Sequence, residues 1–292
     1  MFQRLLICTS LSDGLQRLVH FVPSLASGGI QHITFLHVLP VDGRGIPRVD
    51  EAKVQQVKEQ LSVAKADLPS GVEVEVEVQA GRTDERIAAV AKANQIDLIV
   101  LGSESRSLLT EKLFGSTAVA LCQSSLSPIL ILRPQLISVY TVEELDLRCR
   151  HLLRYFLMPY DGGKAAEYLL AQVKKYAERR PPSSLQECLL FHVIADSDRI
   201  EKLLLESRIK EAEARLATAK TDLESTGLQV NTKIVLGEPI PETLKAALEY
   251  DITAIATASA TMGKFAEWSG PSFTGELIRR SWHPILFFPP VQ

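Results

Sequence analysis

The sequence is poor in the features that mark catalysis, membrane insertion or a nucleic-acid partner. Aromatic residues make up 6% of its 292 positions, and 32 Lys and Arg are dispersed among 35 Asp and Glu, for a formal charge of -3. Nucleic-acid surfaces carry a basic stripe with interleaved aromatics, so no nucleic acid is an expected partner. The longest apolar stretches, such as Ile33 to Val41 and Pro128 to Leu132, fall far short of the roughly 18 residues that span a bilayer, and no membrane span is expected. The four cysteines (Cys8, Cys122, Cys149, Cys188) form no CxxC pair. The start Met1-Phe2-Gln3-Arg4 lacks a signal peptide's charged and apolar regions, so a reducing cytoplasm is the expected location. Cys8 and Cys188 fall in apolar strand runs and read as buried thiols. There is no HExxH, Walker loop, G-x-S-x-G elbow or post-strand GxGxxG, which counts against an enzyme.

What is present is a sequence that contains itself twice. Arg4–Ser10 answers to Tyr155–Asp161, Ile33–Leu39 to Cys188–Ile194 and Val76–Gly81 to Thr232–Gly237. Asp97–Gly102 is matched to Asp251–Ala256, and Ser127–Leu132 to His283–Phe288. Five segments in one order, offset by roughly 151 to 156 residues, indicate duplicated domains rather than a solenoid. The expected boundaries are 1–135 and 153–292, with 136–152 as a linker that holds a short helix.

Within each copy, short apolar runs alternate with amphipathic stretches, which predicts a parallel sheet covered by helices on both faces. Strands are expected near residues 4–9, 32–39, 72–79, 97–102 and 128–132. Val54, Val57, Leu61, Ala64 and Leu68 share one face of a helix and read as core. The second copy's helix, from about Asp198 to Ser225, carries Leu204, Ile209, Leu216 and Leu223 and is longer. Val72–Val78 alternates with glutamates that form a wet face, read as solvated edge charge rather than a metal site.

In open parallel sheets ligands bind beyond the carboxyl ends of the strands, where strand order reverses. Strand four of the first copy ends at Leu101-Gly102, and after a loop Gly115-Ser116-Thr117 opens an apolar helix. A glycine lets the backbone approach a phosphate, and the free N–H groups of a helix start hold its oxygens. Equally, Ser116 or Thr117 caps the helix and does nothing more. His37 and His192 end apolar strands with no second ligand at metal spacing, so they read as structural histidines and no metal site is expected.

Gly102, Ser105, Gly115 and Ser116 hold the Gly-x2-Gly-x9-Gly-Ser/Thr spacing that resembles the nucleotide loop of universal stress proteins, with Ser105 in place of the second glycine. The resemblance extends to His37-Val38 and His192-Val193, to the glycine ending strand three and to the Pro-Ile-Leu opening of the last strand. It implies two tandem doubly wound, five-stranded, Rossmann-like α/β domains related to adenine-nucleotide α-hydrolases. The last strands, Ile129–Leu132 and Ile285–Phe288, would pair these domains as an intramolecular pseudo-dimer.

The resemblance further implies an adenine nucleotide, ATP or AMP, as cofactor, with Mg²⁺ entering only with the nucleotide. Carried over position by position, it places Cys8, Thr9, Ser10, Val38, Leu101, Gly102, Ser105, Gly115, Ser116 and Thr117 around a site in the first copy. Ser10 stands where the family's aspartate is usual. The second copy keeps that aspartate as Asp161 and the loop serine as Ser272, while Ala256, Ser259 and Pro271 stand for the loop glycines in a longer loop. Proline lacks an N–H, so the first copy is expected to hold the better site. No catalytic residue is expected. The implied function is a non-catalytic, nucleotide-responsive stress-response module acting through protein partners, with homodimerisation as a further association. A nucleotide-free interaction scaffold and a slow ATPase are the other readings.

Overall fold

Beginning with the first apolar run, the chain lays down β1 (Arg4–Cys8), a 3-10 helix (Leu15–His20), α1 (Val22–Ser27), β2 (His32–Leu39), α2 (Glu51–Ser62), β3 (Glu73–Ala80) and α3 (Thr83–Ala93). β4 (Leu98–Gly102), α4 (Ser116–Ser124), β5 (Ile129–Leu132), α5 (Pro134–Val139) and α6 (Val142–Arg150) follow. The second half runs β6 (Tyr155–Pro159), α7 (Lys164–Ala177), β7 (Glu187–Ala195), α8 (Lys202–Glu224), β8 (Gln229–Gly237), α9 (Pro239–Glu249), β9 (Ala254–Ala258), α10 (Phe273–Arg280) and β10 (Ile285–Phe288). This is a computed structural model, and it describes residues 1–39, 50–103, 116–195, 202–259 and 272–290. Two compact units divide the chain, Phe2–Leu152 and Leu153–Gln292.

In the first unit the strands lie in the order β3-β2-β1-β4-β5, and every pair is parallel. The second repeats this as β8-β7-β6-β9-β10. Strand order therefore reverses at β1/β4 and at β6/β9, the points where a doubly wound sheet opens a crevice. The central strands are apolar because both faces are covered: Leu5, Leu6, Ile33, Phe35, Leu98 and Ile129 are buried in one unit, and Phe156, Leu157, Leu190, Ile255, Leu286 and Phe287 in the other.

Details of the expected helix faces shift. Val57, Leu61 and Ala64 are buried as predicted, but α2 gives way to a turn of 3-10 helix after Ser62, and Leu68 is exposed. On α8 the buried stripe is Ala212, Leu216, Ala219 and Leu223, whereas Leu204 is 52% exposed. Small alanines at three-four spacing bring α8 against the sheet, a role that a search for large apolar residues passes over.

The segment expected as a linker with one short helix carries two, α5 and α6. Thr141 and Glu144 form a capping box that starts α6: the Glu144 N–H donates to Thr141 Oγ1 at 3.3 Å, and the Thr141 N–H donates to Glu144 Oε2 at 2.8 Å. Ile137, Leu145 and Cys149 are buried, and the Ser24 hydroxyl donates to the Asp146 carboxylate, which lowers that carboxyl's pKa. A glycine with positive φ follows β3 and another ends β8, Gly81 at 134° and Gly237 at 146°. A Cβ on Gly237 would meet Glu242 Cγ at 2.8 Å, so a side chain there would face both backbone strain and collision.

Burial lifts all four thiols well above the ordinary range, Cys149 and Cys188 to about 12, and for Cys8 the nearby Asp13 charge adds to the effect. Because the thiolate is the nucleophile, the native protein is expected to consume essentially no thiol reagent at pH 8, while the denatured chain reacts at all four cysteines. Fast stoichiometric modification of the folded protein would contradict this.

Candidate functional site

The carboxyl end of β1 closes on itself. The Thr9 hydroxyl donates to Asp13 Oδ1 at 2.9 Å, the Ser10 N–H donates to Asp13 Oδ2 at 2.9 Å and the Leu15 N–H donates to Asp13 Oδ1 at 3.0 Å. Ser10 indeed supplies no carboxylate, but Asp13, three residues on, folds one back over the strand end. Its signal in the sequence is the Asp13-Gly14 pair: Gly14 has φ 82°, which turns the chain so that the side chain reaches back.

Most of the expected residues of the first-copy site fall among the described residues. Cys8 ends β1, Thr9 is buried, Val38 is half-buried on β2, and Leu101 and Gly102 end β4. Gly102 is held by protein on the side where a side chain would stand: a Cβ there would lie 3.1 Å from Pro134 Cγ, 3.4 Å from Leu15 Cδ1 and 3.6 Å from Asp13 Oδ2. Packing alone thus accounts for this glycine. Next to it, the buried Ser103 hydroxyl has no hydrogen-bond partner among the described residues, although the Ser103 N–H donates to Leu132 O at 2.8 Å. Sequence reasoning passed over Ser103 because its type and position are unremarkable. Ser105 and Gly115 lie outside the described residues. Ser116 is the first residue of α4, and Thr117 is half-buried.

The two histidines behave alike. His37 Nδ1 donates to Thr9 O at 2.8 Å, and His192 Nδ1 donates to Tyr160 O at 2.8 Å. Each ring locks the end of the first strand of its unit to the second strand, which is the structural reading. His32 on β2 faces the wet edge of β3, with Nδ1 3.3 Å from Glu73 Oε2 and Nε2 3.9 Å from Glu75 Oε2. Among the described residues no group of three His, Cys, Asp or Glu side chains is arranged to hold a metal ion.

Strand register revises how the second copy's loop aligns. Gly102 pairs with Leu132 on β5, and the residue in that place opposite Phe288 on β10 is Ala258 rather than Ala256. Leu98 sits beside Leu5 as Ala254 sits beside Phe156. Ala258 therefore stands for Gly102, and counting on from it puts Thr261 where Ser105 stands, Pro271 where Gly115 stands and Ser272 where Ser116 stands, with no added residues. Ser259 drops out of the correspondence, and Thr261 and Pro271 lie outside the described residues.

At the ends of β6, β7 and β9 a cavity of about 320 Å³ opens. Pro159, Tyr160, Phe191, Val193, Ala258 and Phe273 form much of its wall, with Asp161 at its edge. Asp161 is exposed, and its Oδ1 accepts the Gly163 N–H at 2.7 Å. Tyr160 is buried, and its hydroxyl donates to the Glu167 carboxylate; burial first, then that bond and the charge of Glu167, raise the phenol far above its ordinary pKa. Ser272 is the N-cap of α10, its Oγ accepting the Gly275 N–H at 3.1 Å, so its hydroxyl does the capping work.

Residues 1–133 and 154–289 each match the model of the universal stress protein family. The chain belongs to that family. Over its whole length the fold is similar to a universal stress protein from Archaeoglobus fulgidus, at 21% identity and a TM-score of 0.67, covering 98% of this chain and 96% of the other. It is also similar to a functionally unknown protein from Pseudomonas aeruginosa PAO1, at 16% identity and a TM-score of 0.59, with 99% and 93% covered. No curated protein matches. This universal stress protein thus carries two tandem family domains, and no helix among its described residues is long and apolar enough to cross a membrane.

Proposed function

We propose that the protein is a non-catalytic regulatory module that binds an adenine nucleoside or nucleotide at the strand ends and answers with a change in partner binding. The observation that carries this reading is the cavity at the β6/β9 crevice, walled by aromatic and aliphatic side chains with a few polar groups at its edge. Asp161 and Tyr160, at the end of the strand that corresponds to β1, face the place where the crevice opens. Mg²⁺ would enter only with a nucleotide's phosphates. A cytoplasmic location and pairing of the domains through Ile129–Leu132 and Ile285–Phe288 belong to the same proposal, the latter resting on the apolar sequence of those strands.

A second location for the ligand, the first domain, is favoured by the Ser103 hydroxyl, which has no partner among the described residues, and the Asp13 carboxylate near Gly102. Calorimetric titration of the full chain with adenosine, AMP and ATP, with and without Mg²⁺, separates the two. Ala165 is exposed at the rim of the second-domain cavity, so Ala165→Trp is expected to abolish binding while leaving the fold intact. Loss in Gly115→Val instead would move the site to the first domain. No heat with any of the three at millimolar concentration would leave the interaction scaffold as the function.

A further inference from the structure

Each unit has an edge strand, β3 in the first and β8 in the second, and the two edges differ in charge. On β3 the alternating Glu73, Glu75 and Glu77 share one face, where Asn94 Nδ2 donates to Glu75 Oε2 and Glu77 Oε1 at 3.0 Å each. A row of like charges keeps an edge from pairing. By register, Gln229, Asn231 and Lys233 take those places on β8, which leaves it without such a row. The Gln229 N–H donates to Gln186 O on the β7 side at 3.0 Å, so by alternation the amides of Thr232, Ile234 and Leu236 turn away from β7. Among the described residues no strand lies beyond them.

Along that edge runs a groove of about 490 Å³ between β8 and α8, walled by Ile209, Leu216, Ala217, Ile234 and Leu236. The same side of α8 presents Glu213 and Lys220, about two turns apart, with Leu216 and Ala217 midway between them. Reversing the helix about that midpoint exchanges the acidic place for the basic one. The groove is therefore complementary in charge to a second copy of itself, as an isologous two-fold contact requires.

We propose that the chain self-associates through β8, two copies pairing antiparallel about a two-fold axis at Ile234. In that register Ile234 meets its counterpart and Thr232 meets Leu236 of the second copy, each pair exchanging two backbone hydrogen bonds. Lys233 then lies opposite Val235, whereas an axis one residue earlier would set two lysines directly against each other. The same operation lays the two α8 helices antiparallel, with Glu213 against Lys220 at two symmetric places. The test is sedimentation equilibrium of the full chain over a micromolar concentration series, with the mass of two chains as the expected result. Glu213→Lys turns both contacts into like-charge pairs and is expected to weaken the dimer at least about tenfold, and adding Lys220→Glu is expected to restore it. Leu236→Lys, at a side chain 47% exposed in the single copy, is expected to weaken the dimer while leaving the urea midpoint of the domain in place. A monomeric parent, a dimer that survives Glu213→Lys or Leu236→Lys, or a Glu213→Lys loss that the double variant does not repair would overturn the proposal.

Discussion

Phe156→Ala is expected to destabilise the second domain by about 3–5 kcal/mol, the largest loss from any single substitution considered for this chain. Phe156 lies on β6, in register with Cys188 on β7 and Ala254 on β9, and is fully buried. One partner is an alanine, so the phenyl ring fills volume that its neighbours on that side do not. Strands paired on both sides cannot close over the vacancy, and the full cost of the cavity is felt. A domain is stable by only about 5–15 kcal/mol, so the variant should unfold at much lower urea. Both tryptophans, Trp268 and Trp282, lie in this half of the chain and report the transition by fluorescence. Leu248→Ala, at a side chain 73% exposed, should move the midpoint by no more than about 0.5 kcal/mol. Equal midpoints for the two variants would show that β6 does not carry the core.

The period of the chain made the architecture readable. Apolar runs of four to eight residues separated by amphipathic stretches have one efficient burial solution, and a duplication that preserves their order fixes two copies of it. Alignment within the copies was harder. Asp97-Leu-Ile and Asp251-Ile-Thr look alike, yet Asp251 lies in the left-handed turn at φ 51°, where its counterpart is Gln95 at φ 50°. Both are single non-glycine residues that reverse the chain before a strand, a position that tolerates several polar side chains. Two aspartates in equivalent-looking places therefore do unrelated work.

The same limit applies to the candidate site. Loop spacing and strand ends are local patterns, and they named Thr9, Gly102 and Asp161 directly. Asp13 reaches back over the end of β1 only because Gly14 turns the chain, and Ser103 stands out only because its buried hydroxyl has no partner among the described residues. The second-domain cavity is a property of how Tyr160, Phe191 and Phe273 pack, side chains that the sequence marks simply as apolar. A ranking of the two domains by loop glycines alone favours the first. The cavity at the strand ends of the second domain escapes such a ranking, because space between side chains is not written in a spacing motif.

Asp97→Ala is expected to cost about 2 kcal/mol or more, with Asp97→Thr costing clearly less. The Asp97 carboxylate takes the Gln3 N–H at 2.9 Å and the Arg4 N–H at 3.0 Å, pinning the chain where it enters β1. Removing it leaves two half-buried amides without their acceptor, each costing up to about 1–3 kcal/mol, partly offset because the carboxylate no longer has to be desolvated. The second domain meets the same need with a hydroxyl: Thr253 Oγ1 accepts the Tyr155 N–H at 3.0 Å and donates to Tyr155 O at 3.0 Å. Threonine at position 97 would supply one of the two acceptors in the manner the protein already uses. Burial raises the Asp97 carboxyl above its ordinary 3.8, against the pull of the two amides and of the nearby positive charges. In the pH window above 3.8 and below its raised value, the folded chain therefore holds more proton than the unfolded one. Its contribution to stability grows as pH falls through that window and is lost as pH rises through it. Urea unfolding of the three proteins at pH 7 and pH 4 measures both effects: a change in stability between the two pH values that differs between the parent and Asp97→Thr, with the parent relatively more stable at pH 4, assigns the titration to Asp97, and equal stability of Asp97→Ala and the parent would remove it from the fold's framework.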